Sequence, residues 1–92
     1  MTLEEGDLAA LAALAQALDQ YLGGVHGHRQ VELIEEALDS ADWWRERLDG
    51  FDDLELATAC YCPGCGPEYY DDQLLTPVAG YVRRALHENF GL

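Results

Sequence analysis

The chain has 92 residues, 18 of them acidic and five basic, all five arginines, for a formal net charge of -13. That length holds one small domain, residues 1-92, and 49% hydrophobic residues exclude a chain disordered throughout. So strong an acidic balance also excludes direct binding to nucleic acid or to an anionic membrane, both of which need cationic contacts.

Thr2 and Glu5 have the spacing of a capping box that opens a first helix. Leu8, Leu11, Ala15, Leu18 and Leu22 follow at alternating spacings of three and four, and six alanines between residues 9 and 17 raise helix propensity further. Gly23 and Gly24 end the helix in a short turn that carries His26 and His28. A second helix is predicted from Arg29 to Asp49, with Val31, Ile34, Leu38, Ala41 and Leu48 on its apolar face and Gly50 as its stop. Two such helices joined by a short turn form an αα-hairpin. Trp43 and Trp44 lie about 100° apart on the second helix, so one of them faces the seam.

Asp53 to Tyr61 reads as a short helix capped by Asp52 or Asp53. Pro63, Gly64, Gly66 and Pro67 make Cys62 to Asp72 a loop. A last helix either starts at Thr76-Pro77 or begins near Asp72 and carries Pro77 inside it. Its apolar face is Val78, Tyr81, Val82, Ala85, Leu86 and Phe90, and Gly91 ends it. The expected fold is therefore all-α: three to four helices built on an N-terminal αα-hairpin, with a Cys-rich loop before the last helix.

The most chemically specific run is Cys60-Tyr61-Cys62-Pro63-Gly64-Cys65-Gly66. Two cysteines separated by two residues can place both thiolates on one tetrahedral ion, while proline stiffens the turn and glycine lets backbone N–H groups face the sulfurs. Cys62 to Gly66 resembles the zinc knuckle of zinc ribbons and treble-clef domains, which implies zinc as a cofactor. Those families supply a second ligand pair from later cysteines, and this chain has none. Cys60 as third ligand and His26 or His28 as fourth would complete a Cys₃His site, one that ties the hairpin turn to the loop and stabilises a small core. Three free thiols packed as small hydrophobes, or a disulfide within the cluster, are the other readings.

The second notable feature is acidic. Glu32, Glu35, Asp39, Asp42, Glu46, Asp49 and Asp53 recur at spacings of three and four, one residue after the core positions, and Glu36 widens the edge. Carboxylates repeating about every 5 Å along a rod imitate a row of phosphates. A basic nucleic-acid-binding groove on a partner protein could accept them, with Trp43 and Trp44 as aromatic contacts. A solvated face that keeps the chain soluble is the plainer reading. In charge and size the chain resembles small acidic inhibitors encoded by phages, some anti-CRISPR proteins among them.

One serine, no nucleophile elbow and no phosphate-cradling loop argue against an enzyme. Glu4, Glu5 and Asp7 stand where a secretory signal carries cations, so the expected location is cytoplasmic, with no membrane partner. The leading expectation is a non-enzymatic interaction protein that binds a basic, nucleic-acid-binding protein as a mimic or inhibitor. The alternative is a zinc-stabilised helical adaptor or regulatory subunit using its apolar and aromatic surface. The Ala/Leu-rich hairpin could also pair with a copy of itself as a homodimer.

Overall fold

In the computed structural model, which describes residues 5–92, four α-helices follow one another: α1 (Glu5–Leu22), α2 (His28–Ser40), α3 (Phe51–Ala59) and α4 (Asp72–Phe90). A single 3₁₀ turn, Asp42–Trp44, lies between α2 and α3. The protein is a small all-α domain, and among the described residues the one β-type contact is an isolated backbone bridge between Tyr61 and Tyr70. Among the described residues no helix is long and apolar enough to cross a membrane. Thr2, half of the expected capping box, lies outside the described residues.

All four helices contribute to one hydrophobic core. From α1 it takes Leu11, Leu14, Leu18 and Tyr21, whereas Leu8 and Leu22, expected on the buried stripe, are exposed. Tyr21 therefore ends the stripe in place of Leu22, in step with Leu14 and Leu18 at spacings of seven and three. α1 packs most extensively on α2. A buried glutamine pins the pair, since Gln30 Nε2 donates to the Ala17 carbonyl at 2.8 Å and to Gln20 Oε1 at 3.3 Å. Paired in this way, the amide adds directional contacts to an otherwise apolar seam.

The second helix is shorter than its apolar periodicity predicts. It stops at Ser40, and the hydrogen bonds then tighten from four residues to three: Trp44 N–H to Ala41 O at 2.8 Å, Arg45 N–H to Asp42 O at 3.1 Å. Asp39, Ser40, Asp42 and the two tryptophans are all weak helix formers, so local propensity does not oppose the change. Burial supplies the drive. Trp44 turns inward, its ring meeting Phe90 of α4 edge-on at 5.5 Å, and Arg45 is left at the surface. Ala41, Leu48, Phe51 and Leu54 are buried in turn, so the core periodicity runs on through the break.

Gly50, at φ +86°, reverses the chain into α3. No side chain caps α3, so neither Asp52 nor Asp53 has the expected capping role. α3 packs back against α2 and against α4. The last helix begins at Asp72, with Asp71 as its cap accepting the Leu74 N–H at 3.0 Å, and it contains Pro77 internally. Near this interruption Thr76 Oγ1 donates to the Asp72 carbonyl at 2.6 Å. Val82, Ala85 and Leu86 of the expected apolar face are buried, but Tyr81 is exposed.

Candidate functional site

The break at Ser40 divides the acidic residues into groups with different surroundings. On α2, Glu32, Glu36 and Asp39 are exposed and Glu35 is half-buried. They occupy neighbouring turns, and 1.5 Å of rise per residue makes the row from Glu32 to Asp39 about 10 Å long. Partial burial pushes the Glu35 carboxyl above its ordinary pKa, and the charges of Asp39 and Glu32 push it the same way. Beside this row a shallow groove runs between α1 and α2, floored by Ala13, Ala17 and Ala37, with Glu36 and the exposed Leu33 on its α2 side.

Past the break the acids are drawn together by a cation. Arg45 Nη2 donates to Asp42 Oδ1 and to Glu55 Oε2, both at 2.6 Å, and its Nη1 donates to Asp52 Oδ1 at 2.5 Å. Its carbon Cζ stands 4.9 Å from the centroid of the Phe51 ring. These carboxylates, Glu55 foremost, raise the guanidinium pKa further above its already high value. Asp42 is therefore not part of an open row, contrary to the sequence reading of one unbroken stripe. The 3₁₀ turn and the reversal at Gly50 have brought α3 round to it.

The rest of the expected stripe is scattered. Glu46 is exposed in the turn. Asp49 accepts a hydrogen bond from the Tyr81 hydroxyl, which raises the tyrosine pKa. Asp53 lies on a cleft with Tyr70, Pro77 and Tyr81. Of the two tryptophans, Trp43 is 85% exposed and Trp44 5%. Trp43 thus remains available as a surface contact while Trp44 is core. The Trp44 Nε1–H is buried without a hydrogen-bond acceptor.

Of the proposed zinc ligands, the three cysteines lie within six residues of one another, and His26 and His28 come more than 30 residues earlier. Cys62 and Cys65 are joined by a disulfide, their Cα atoms 5.5 Å apart, and Cys60 is a free, half-buried thiol. The loop is held across its base, where the Cys62 N–H donates to Tyr70 O at 2.8 Å and the Tyr70 N–H to Cys60 O at 2.9 Å. His26 stacks at a tilt on Tyr21, its Nδ1 3.9 Å from Asp72 Oδ2, and His28 meets the edge of Tyr61. Among the described residues no group of three or more His, Cys, Asp or Glu side chains is placed to hold a metal ion.

What joins the hairpin turn to the loop is instead a pair of tyrosines on one aspartate. The Tyr21 and Tyr61 hydroxyls donate to Asp72 Oδ1 at 2.8 and 2.9 Å. Burial raises the pKa of both phenols, and the adjoining carboxylate raises both further. This anchor was missed in the sequence because its members are 51 and 11 residues apart. The available signal was Tyr21 itself, a core-register tyrosine whose hydroxyl needs an acceptor once buried.

Comparison with protein-family models, curated proteins and solved structures yields no match to this chain.

Proposed function

We propose that the chain is a non-enzymatic interaction protein whose α2 carboxylate face binds a basic surface of a partner protein, in the place where that partner holds nucleic acid. One observation carries this reading: Glu32, Glu35, Glu36 and Asp39 are kept side by side on α2, where partial burial first, and then the charges of Asp39 and Glu32, raise the Glu35 pKa. Holding like charges together costs a few tenths of a kcal/mol per pair. Solubility alone does not require that cost, since net charge serves it wherever the acids stand. Trp43, in the 3₁₀ turn that follows α2 and 85% exposed, adds an aromatic contact of the kind that dominates interface energetics.

The row is shorter than the sequence periodicity implies, about two turns of helix. The partner surface it matches is correspondingly small: a few cations that otherwise contact neighbouring phosphates, reached by fast, salt-sensitive association. The groove beside Glu36 offers adjoining apolar area.

Capture of host proteins on the immobilised chain, eluted by salt or by competing double-stranded DNA, tests the reading. Reversing Glu32, Glu35, Glu36 and Asp39 to lysine should weaken capture of a DNA-displaceable protein by on the order of 100-fold at low salt. A control should reverse four acids elsewhere, Glu5, Asp7, Glu68 and Glu88, and keep capture largely intact. Equal loss in both variants would reduce the effect to bulk charge, and undiminished capture by the α2 variant would end the proposal. A zinc-stabilised adaptor would instead require the Cys62–Cys65 bond to open and Cys60 to gather with His26 or His28. Native mass measurement of the reduced chain with zinc tests that alternative.

A further inference from the structure

The cleft at the start of α3 is walled by α4 and by the residue that closes the Cys loop. Tyr70, Pro77, Val78 and Tyr81 form its sides, with Gly50 and Asp53 on the α3 side, and its volume is about 280 Å³. That is below the size of pockets that enclose drug-sized molecules and suits a single side chain. We propose that this cleft seats one arginine side chain of a protein partner. The inference rests on the reading that the partner is basic, but it uses residues distinct from the α2 row.

Charge complementarity selects the occupant. Tyr81 is 54% exposed, and its hydroxyl donates to Asp49. Asp53 lines the cleft directly, and Asp49, Asp53 and Glu88 all act on the Tyr81 hydroxyl electrostatically. Aromatic faces beside carboxylates fit a cation, and a planar guanidinium can stack on a ring while its N–H groups reach the acids. The chain applies this chemistry to itself next door, where Arg45 lies over Phe51 and bonds to Asp52 and Glu55. An ammonium lacks the plane and the fork, so lysine fits the same surroundings less well.

Gly50 makes the wall possible. A Cβ at this position would stand 2.8 Å from Tyr81 Cδ1, so only glycine lets the ring lie against the turn. Pro77 stiffens the opposite side, because its ring fixes the backbone angle.

The test is a ¹H–¹⁵N NMR titration of the full chain with N-acetyl-arginine amide, beside N-acetyl-lysine amide and uncharged N-acetyl-norleucine amide. Arginine amide should give saturable shifts centred on Gly50, Asp53, Tyr70 and Tyr81, with lysine amide roughly fivefold weaker and norleucine amide not saturating. Tyr81→Leu and Asp53→Asn should each abolish the saturable shifts while helicity is retained, and Tyr81→Phe should keep part of the binding. Equal shifts with norleucine amide, equal affinity for lysine amide, or shifts confined to other residues would overturn the assignment. The α2 charge-reversed chain should bind arginine amide as the parent does, so failure of the α2 face and failure of the cleft are read separately.

Discussion

Two acidic clusters only a few residues apart are treated in opposite ways. Around Arg45, three carboxylates from the 3₁₀ turn and α3 share one guanidinium packed over an aromatic ring. On α2, Glu32, Glu35 and Asp39 sit within reach of one another's charge, and Glu35 is harder to ionise through partial burial first and those charges second. The number of acids in each segment would not reveal this. The difference teaches that the fold sorts one charge run into a part that shares a cation and a part whose carboxylates act on one another.

Gly50 stands at the turn that brings α3 and its acids back to Arg45. Gly50→Ala places a methyl group against the Tyr81 ring at a positive φ, which should cost about 1–3 kcal/mol in urea unfolding. Because the reversal into α3 depends on this residue, the same substitution should also weaken the Arg45 cluster and close the arginine seat.

The tyrosine anchor contains no member of either acidic cluster and so serves as a control. Tyr21→Phe removes one hydrogen bond to Asp72 and should cost about 1 kcal/mol, with partner capture unchanged. Its pH dependence has a definite sign. Tyr21 and Tyr61 are raised in the folded chain, first by burial, so the unfolded chain loses these protons first. Stability should fall as pH rises above about 10, the ordinary tyrosine value, and Tyr21→Phe should flatten that fall.

Within the clusters, paired substitutions should move stability in opposite directions. Arg45→Gln should lower the melting temperature, and the loss should shrink with added salt as the repulsion among Asp42, Asp52 and Glu55 is screened. Glu35→Gln should do the reverse, raising stability at neutral pH by about 0.2–0.5 kcal/mol. A carboxyl raised in the folded state binds its proton more tightly there, so it lowers stability once pH exceeds the raised value. The gain from Glu35→Gln should therefore disappear as pH falls through the carboxylate range. If both substitutions shift stability in the same direction, the contrast between the clusters is wrong.

The core was largely legible in the sequence. Spacing alone places Val31, Ile34, Leu38, Ala41 and Leu48 on one apolar face, and all five are buried. The helix meant to carry them ends at Ser40, because a 3₁₀ turn keeps the same inward periodicity with a different backbone. Spacing reports which residues face inward. It does not report which hydrogen-bond pattern puts them there. The same limit applied to the acids: the regular row of seven assumed a rod, and a bent chain deals those residues into separate groups. For Cys62 and Cys65 the two-residue spacing suits a shared metal or a bond between the sulfurs, and the structure joins them.

By itself the sequence determined the class of the protein: an all-α domain with two helices joined by a short glycine turn, a cysteine loop before the last helix, and a strong negative charge. These follow from composition, local propensity and hydrophobic period, which act over a few residues. Tertiary structure alone decided that Trp44 goes in and Trp43 out, that Arg45 gathers Asp42, Asp52 and Glu55, and that Tyr21 and Tyr61 meet on Asp72. Each of these depends on where a distant element packs. A buried ring needs a neighbour and a buried hydroxyl needs an acceptor, and a one-dimensional pattern records the need without naming the partner.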